Sequence, residues 1–321
     1  MKAPVLILFG PTASGKTELL EKLSGKASVR IEVISADSMQ VYRGMDIGTA
    51  KPSPEERVRI PYHLIDIMNP DEQFNAGEFV RLAEEACLAA AGRGTLPVVS
   101  GGTGFYLKNL VLGLSEAPPS DLKIRRELKE ELSSRGAASL MEELAKADPV
   151  SAGRIHINDE YRLLRALEVF RLSQRPLSSY ASPWTEKPAV ANSRPFRFLL
   201  FGLRRNREEL YRRINARTAA MFRAGLSREV KRLYEAGYTP AAPGLRAIGY
   251  REFFVEEPDG SWRLSEDLAG VEALIAQNSR RYAKRQITFF ASLPGVKWID
   301  CGDNNETALE IRRNLEEFLA Q

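Results

Sequence analysis

Eight residues near the N-terminus, Gly10-Pro11-Thr12-Ala13-Ser14-Gly15-Lys16-Thr17, match the spacing GxxxxGK[ST]. They follow the apolar run Val5–Phe9 and open an amphipathic stretch, the strand–turn–helix setting that this pattern requires. Glycines let the backbone wrap closely around phosphate oxygens, amides at the helix start point inward, and Lys16 adds a full positive charge. Gly10, Thr12, Ala13, Ser14, Gly15, Lys16 and Thr17 are therefore the expected diphosphate-binding residues. The Thr17 hydroxyl is the candidate ligand for a Mg²⁺ ion bridging two phosphates. The chain is expected to bind a di- or polyphosphate.

A nucleotide hydrolase usually carries an acid at the end of a neighbouring apolar strand. Here Leu96-Pro97-Val98-Val99 ends in Ser100-Gly101-Gly102-Thr103-Gly104, with no acid. The acid stands elsewhere, in Ile34-Ser35-Ala36-Asp37-Ser38. That puts Asp37 at a strand C-terminus, where ligands of open α/β sheets gather. The residues alone leave three roles open for Asp37: general base, metal support and turn-stabilising carboxylate. Thr103 lies in a glycine-rich turn that allows close ligand approach, or its hydroxyl caps the helix that follows.

These residues need elements to hold them. Val5–Phe9, Ile31–Ser35, His63–Ile67, Leu96–Ser100, Phe198–Leu203 and Val296–Ile299 read as strands, and Lys16–Leu23 and Glu78–Ala91 as helices between them. In the second helix Phe79, Leu82, Ala83, Ala86, Cys87 and Ala90 share one face, which makes Cys87 a small core residue. From Pro118 to Gln174 the pattern is helical and highly charged, opened by Ala117-Pro118-Pro119-Ser120-Asp121. A stretch holding Pro176, Pro183, Pro188 and Pro195 reads as a connector. The expected fold is α/β, a mostly parallel sheet flanked by helices as in P-loop nucleotide-binding cores, with an inserted all-helical domain. The core would comprise residues 1–117 and 196–321, and the insertion residues 118–195.

Composition bounds the rest. The 321 residues are 44% hydrophobic and 27% charged, which excludes collagen-like, low-complexity and wholly disordered chains. No apolar run reaches the ~18–20 residues of a membrane-spanning helix. Two cysteines without metal-type spacing argue against a disulfide scaffold or zinc site and fit a reducing cytoplasm. His63 and His156 have no partner at ligand spacing. The net charge of +4 is uneven: Arg194 to Arg285 holds 19 basic residues, 17 of them Arg, against 11 acidic ones. Such a stretch fits phosphate recognition or a solvated helical surface. Nothing demands a dimer, so a monomer is expected.

Longer motifs are more specific. Asp37-Ser38-Met39-Gln40-Val41-Tyr42-Arg43-Gly44-Met45-Asp46-Ile47-Gly48-Thr49-Ala50-Lys51-Pro52 closely resembles the bacterial tRNA dimethylallyltransferases. So do Pro61–Asp66, Gly101–Tyr106, Asn158–Glu168, Leu245–Glu252 and Ala283–Thr288, in collinear order along nearly the whole chain. Asn75 stands where relatives commonly have Ser, and Phe289 where many have Trp.

The resemblance implies transfer of a dimethylallyl group from dimethylallyl diphosphate to N6 of the adenosine 3′ to the anticodon (position 37), in tRNAs reading codons that begin with U. It implies Asp37 as the base that takes the N6 proton and Thr103 beside the target nucleotide. Ser38, Met39 and Gln40 would line the base pocket. Arg213 and Arg217, on another helix, are expected to face the diphosphate instead of the tRNA. Contacts to the anticodon stem-loop would come from Arg125, Tyr161, Arg162, Leu163, Leu164, Arg165, Arg246, Gly249, Tyr250, Arg251, Arg281, Lys284 and Arg285. The plain alternative for each arginine is a salt-bridged or solvated helix face.

Three other functions compete. A small-molecule or nucleotide kinase uses the same loop and Mg²⁺, with the helical module as its lid. An enzyme prenylating free adenine nucleotides has no use for the +8 segment. A non-catalytic RNA-binding protein does not need Lys16, Thr17 and Asp37 together.

Overall fold

The computed structural model describes residues 2–25, 30–180, 194–302 and 304–320. Two compact units divide the chain: Met1–Val111 with Arg194–Gln321, and Leu112–Ser193. The first unit begins with β1 (Ala3–Phe9), α1 (Lys16–Ser24), β2 (Ile31–Ser35), α2 (Pro54–Arg59), β3 (Tyr62–His63), α3 (Ala76–Gly92), β4 (Leu96–Gly101) and α4 (Gly104–Leu112). The second holds α5 (Leu122–Ala147), α6 (Pro149–Ala152) and α7 (Glu160–Ser173). The first then resumes with β5 (Phe196–Arg204), α8 (Arg207–Ala224), α9 (Leu226–Glu235), β6 (Phe254–Glu256), β7 (Trp262–Leu264), α10 (Leu268–Phe290), β8 (Val296–Asp300) and α11 (Asn304–Leu319).

Six strands form one sheet in the order β3-β2-β4-β1-β5-β8, and every pair in it is parallel. Continuous apolar strands suit a sheet covered on both faces, and Val5–Phe9 are all buried. On one face Leu6 and Leu8 pack with Leu19, Leu20 and Leu23 of α1 and Ile311 and Leu315 of α11. Phe9 meets the Phe290 ring of α10 at 4.8 Å and Trp298 of β8 at 5.8 Å. The chain leaves β1 toward β2 on one side and returns from β4 to β5 on the other. The strand order thus reverses between β1 and β4, and the crevice beyond their C-terminal ends is the expected ligand position.

Three local features differ from, or sharpen, the sequence reading. The strand expected over His63–Ile67 ends at His63, because Leu64 and Asp66 take left-handed φ values of 62° and 57°. The antiparallel pair β6–β7 was not expected, since three-residue strands leave no periodicity to read. Asn75 caps α3, accepting from the Glu78 N–H in a capping box, which a Ser would also do. Cys87 is buried in the core, and burial pushes its thiol up to about 12. Pro183 and Pro188 lie outside the described residues.

In the second unit Asp121 caps α5 through the Lys123 and Ile124 amides. Gly136, at φ 78° and ψ 162°, breaks that helix into two. Leu128, Leu140, Leu144, Leu163, Leu164 and Leu167 form the unit's core. Glu168 is fully buried beside it and accepts from the Ser120 hydroxyl at 2.6 Å, the Asp121 N–H at 2.8 Å and Arg165 at 2.8 Å. Burial raises its pKa, but these bonds override that and hold the carboxyl below the usual range.

Candidate active site

The phosphate-type loop leaves the central strand β1. Ala13 and Gly15 turn left-handed, at φ 63° and 101°, and the loop's carbonyls are bound by cations. Lys16 Nζ donates to Gly10 O at 2.9 Å and Pro11 O at 3.0 Å. Arg213 Nε donates to Ala13 O at 2.9 Å and Arg205 Nε to Ser14 O at 2.8 Å. Burial, and then the neighbouring Arg217 charge, push the Lys16 ammonium down to about 8, while Asp37 works against both. Ser14 Oγ is buried with no hydrogen-bond partner.

Asp37 follows β2 and Thr103 follows β4, two strands that are direct neighbours. Asp37 Oδ1 accepts the Met39 N–H at 2.9 Å, so the turn-stabilising role is real. The same carboxylate faces two cavities, so that role is not its whole environment. Thr103 Oγ accepts the Ser38 N–H at 3.0 Å and lies 3.3 Å from Ser38 Oγ, so it ties the two turns together. The approach is tight: a Cβ on Gly101 would sit 2.1 Å from Ala36 O.

A cavity of about 490 Å³ is lined by Thr12, Ala13, Ser14, Gly15, Lys16, Thr17, Asp37, Gln40, Arg213, Arg217, Tyr282 and Gln286. A second, of about 310 Å³, is lined by Asp37, Ser38, Met39, Gly48, Thr49, Arg217, Gly249, Tyr282 and Arg285, with an apolar wall of Ile214, Met221, Ile248 and Ile275. Thr12, Asp37, Thr49, Arg217 and Tyr282 line both, so the two cavities adjoin, with Asp37 among the residues they share. Beside Thr17 a small cavity of about 60 Å³ is walled by Ser35, Asp37, Gln40 and Ser100 on one part and by Leu20, Val33, Pro52 and Tyr62 on another. Among the described residues no group of three His, Cys, Asp or Glu side chains is placed to hold a metal ion.

The distal positions sort differently. Arg281, Lys284 and Arg285 are exposed on α10. Arg246 is exposed and donates to Pro240 O and Ala241 O, while Arg251 donates to Phe254 O and stacks 4.5 Å over the Trp262 ring. In the second unit Tyr161 is 70% exposed with Arg125 4.9 Å over its ring, and Arg162 pairs with Asp159. Arg125 and Arg165 both reach Glu168. Three expected RNA contacts need correction. Leu163 and Leu164 are buried in the helical core, and the Tyr250 ring is fully buried with its hydroxyl on Glu229 Oε1 at 2.7 Å. Their side chains shape the surfaces beneath which they lie and do not present themselves to a partner.

Sequence reasoning missed Gln286, Glu229 and Arg205. Glu229 accepts the backbone amides of Asp46, Ile47 and Gly48, fixing the loop whose Gly48 and Thr49 line the apolar-walled cavity. In sequence it is one charge among several in Ser227-Arg228-Glu229-Val230-Lys231-Arg232.

The parallel sheet carries the phosphate-type loop at its switch point and an acid after β2, the strand beyond β4. The family model for IPP transferase matches residues 40–293, and the chain belongs to that family. It is 44% identical over 299 residues to a tRNA dimethylallyltransferase from Geobacter sulfurreducens, covering 93% of this chain and 92% of the relative. The structure is similar to that of the tRNA isopentenylpyrophosphate transferase of Bacillus halodurans, with TM-score 0.68, 36% identity and coverage of 99% and 96%. It also resembles a eukaryotic dimethylallyltransferase captured acting on tRNA, with TM-score 0.75, 28% identity and coverage of 94% of this chain and 74% of that one. These likenesses do not favour the kinase reading.

Proposed function

We propose that this tRNA prenyltransferase moves a dimethylallyl group from dimethylallyl diphosphate to N6 of the adenosine 3′ to the anticodon. The carrying observation is the position of Asp37, which lines both the cavity of the phosphate-type loop and the apolar-walled one. The diphosphate would lie against Lys16, the loop amides and Arg217, where charge gathers as the allylic C–O bond breaks. The acceptor base, turned out of its loop, would enter from the other end, past Arg285 and Gly249. As the N6–carbon bond forms, the N6 proton passes to the Asp37 carboxylate and diphosphate departs. This assists a poor nucleophile, since the amine lone pair is conjugated with the purine ring. Thr103 holds the Ser38 end of the same turn and so orients the base.

The Thr17 and Asp37 oxygens at the small cavity suit Mg²⁺, which takes one or two protein oxygens and completes its shell with phosphate and water. Thr17, with Asp37 at hand, would hold it. When bound, the ion would draw negative charge from the departing diphosphate. The exposed Arg281, Lys284 and Arg285 on α10, together with Arg162 and Tyr161 of the helical unit, would meet the anticodon stem-loop. We take the enzyme to act as a cytoplasmic monomer. Incubation with dimethylallyl diphosphate and unmodified tRNA, followed by nucleoside mass spectrometry, tests the reading. Prenylated adenosine is expected, and its absence would sink the assignment.

A further inference from the structure

Gln286 lies on α10 and is buried, and its amide joins two loops that leave different strands, β1 and β4. Its Oε1 accepts the Thr12 N–H of the donor loop at 2.9 Å, and its Nε2 donates to Gly102 O at 2.8 Å. Thr12 offers only an N–H there and Gly102 only a carbonyl, so the orientation of the amide is fixed by its partners. The fit is close, because a Cβ on Gly102 would stand 2.5 Å from Nε2. One turn earlier on the same helix, Tyr282 lines both cavities of the site.

We propose that Gln286 is a positioning residue for the transfer step, its single amide setting the separation between the donor loop at Thr12 and the Gly102–Thr103 turn. The inference rests on the reaction proposed above. Gly102 directly follows the last paired residue of β4, whereas Thr12 lies three residues beyond Phe9, so the sheet does not itself fix Thr12 against Gly102. A bond-forming step between a donor on one loop and an acceptor beside the other is sensitive to displacements well under 1 Å. Among unbranched side chains only a carboxamide of this length both accepts and donates in one plane. A methionine fills the space and makes neither bond. A glutamate keeps the bond to Thr12, sets an oxygen against Gly102 O and adds negative charge beside the diphosphate.

The test is single-turnover and steady-state transfer by Gln286→Met and Gln286→Glu, with the folded fraction set by active-site titration. The expectation is a fall in kcat of about 10–100-fold, with the tRNA KM within about threefold of wild type. Thr103→Ala supplies a second arm. If Gln286 acts through that turn, the Gln286→Met/Thr103→Ala double variant is no slower than the slower single one. Wild-type kcat in both folded Gln286 variants, or effects that simply multiply in the double variant, overturns the proposal. Should Gln286→Met not fold, the isosteric Gln286→Glu carries the measurement. Failure of the reaction assignment itself would show as an inactive wild type, and failure of this inference as an active wild type that its variants match.

Discussion

Glu229 and Tyr250 share a hydrogen bond of 2.7 Å in a place neither sequence neighbourhood betrays, beneath the loop over residues 44–50. The same carboxylate accepts three consecutive backbone amides, and the Tyr250 ring lies so close under Gly48 that a Cβ there would stand 2.5 Å from it. Burial, and then the Glu229 charge, raise the Tyr250 phenol well above its ordinary pKa, so it donates at every working pH. Replacing Glu229 with Gln puts an amide NH₂ against donors that need an acceptor. The expected loss of stability is about 2–4 kcal/mol, read as a lower denaturation midpoint with an unchanged slope. A wild-type midpoint would mean that the carboxylate is dispensable to the loop.

Asp37→Asn keeps the size of the side chain and its bond to the Met39 amide but removes the basic oxygen. Transfer is expected to slow by roughly 10²–10⁴-fold with both substrates still bound. If Asp37 instead serves the metal, diphosphate and Mg²⁺ affinity fall together with the rate, and excess Mg²⁺ restores activity. Single-turnover rates and donor binding across a Mg²⁺ titration separate these outcomes. Near-normal transfer would leave only the turn bond as its role.

The α10 cations make a prediction in salt. Arg281→Ala and Arg285→Ala should each weaken tRNA binding and flatten the dependence of log K on log salt by roughly one unit for each phosphate no longer neutralised. Arg281 touches neither cavity, so donor affinity should hold in that variant. An unaltered salt slope in both would place these side chains in plain solvent.

Acid stability has a specific source at Glu32. This carboxylate is nearly buried and bonded by Arg93, His63 and Thr95, and the Arg93 bond leads in holding its pKa down to about 2 from 4.5. A depressed pKa means that the contribution is complete above about 4.5 and is lost as pH falls through about 2. Allowing for the half-exposed Arg93, its size is on the order of 2 kcal/mol. Glu32→Gln should therefore be less stable than wild type at pH 7, the gap narrowing between pH 4.5 and 2. Parallel denaturation curves at pH 7 and pH 3 check this, and a gap that widens in acid contradicts it.

The phosphate-type loop, the strand-end acid and the parallel sheet were legible because each depends on neighbours in the chain. A loop motif needs one strand and one helix beside it, and six short apolar runs announced the sheet. Gln286, Glu229 and Arg205 were not legible, for the opposite reason. Gln286 meets Thr12 across 274 positions, Glu229 meets Ile47 across 182, and Arg205 meets Ser14 across 191. No local period marks such partners. Leu163, Leu164 and Tyr250 failed in another way, because motif membership says nothing about which face of an element a side chain occupies.

The placement of β1 has a consequence for the order in which the molecule can be built. Leu6 pairs with Val98 on one side and with Leu199 on the other, so the strand that launches the donor loop has its second neighbour only once residue 199 is available. A chain emerging from the ribosome passes through the whole Leu112–Ser193 unit before that edge can close. During that interval an apolar strand edge stays open to wrong partners. The helical unit has its own leucine core and can fold without waiting, which keeps the delay compact rather than extended. Slow, long-range closure is thus built into the position of a single strand.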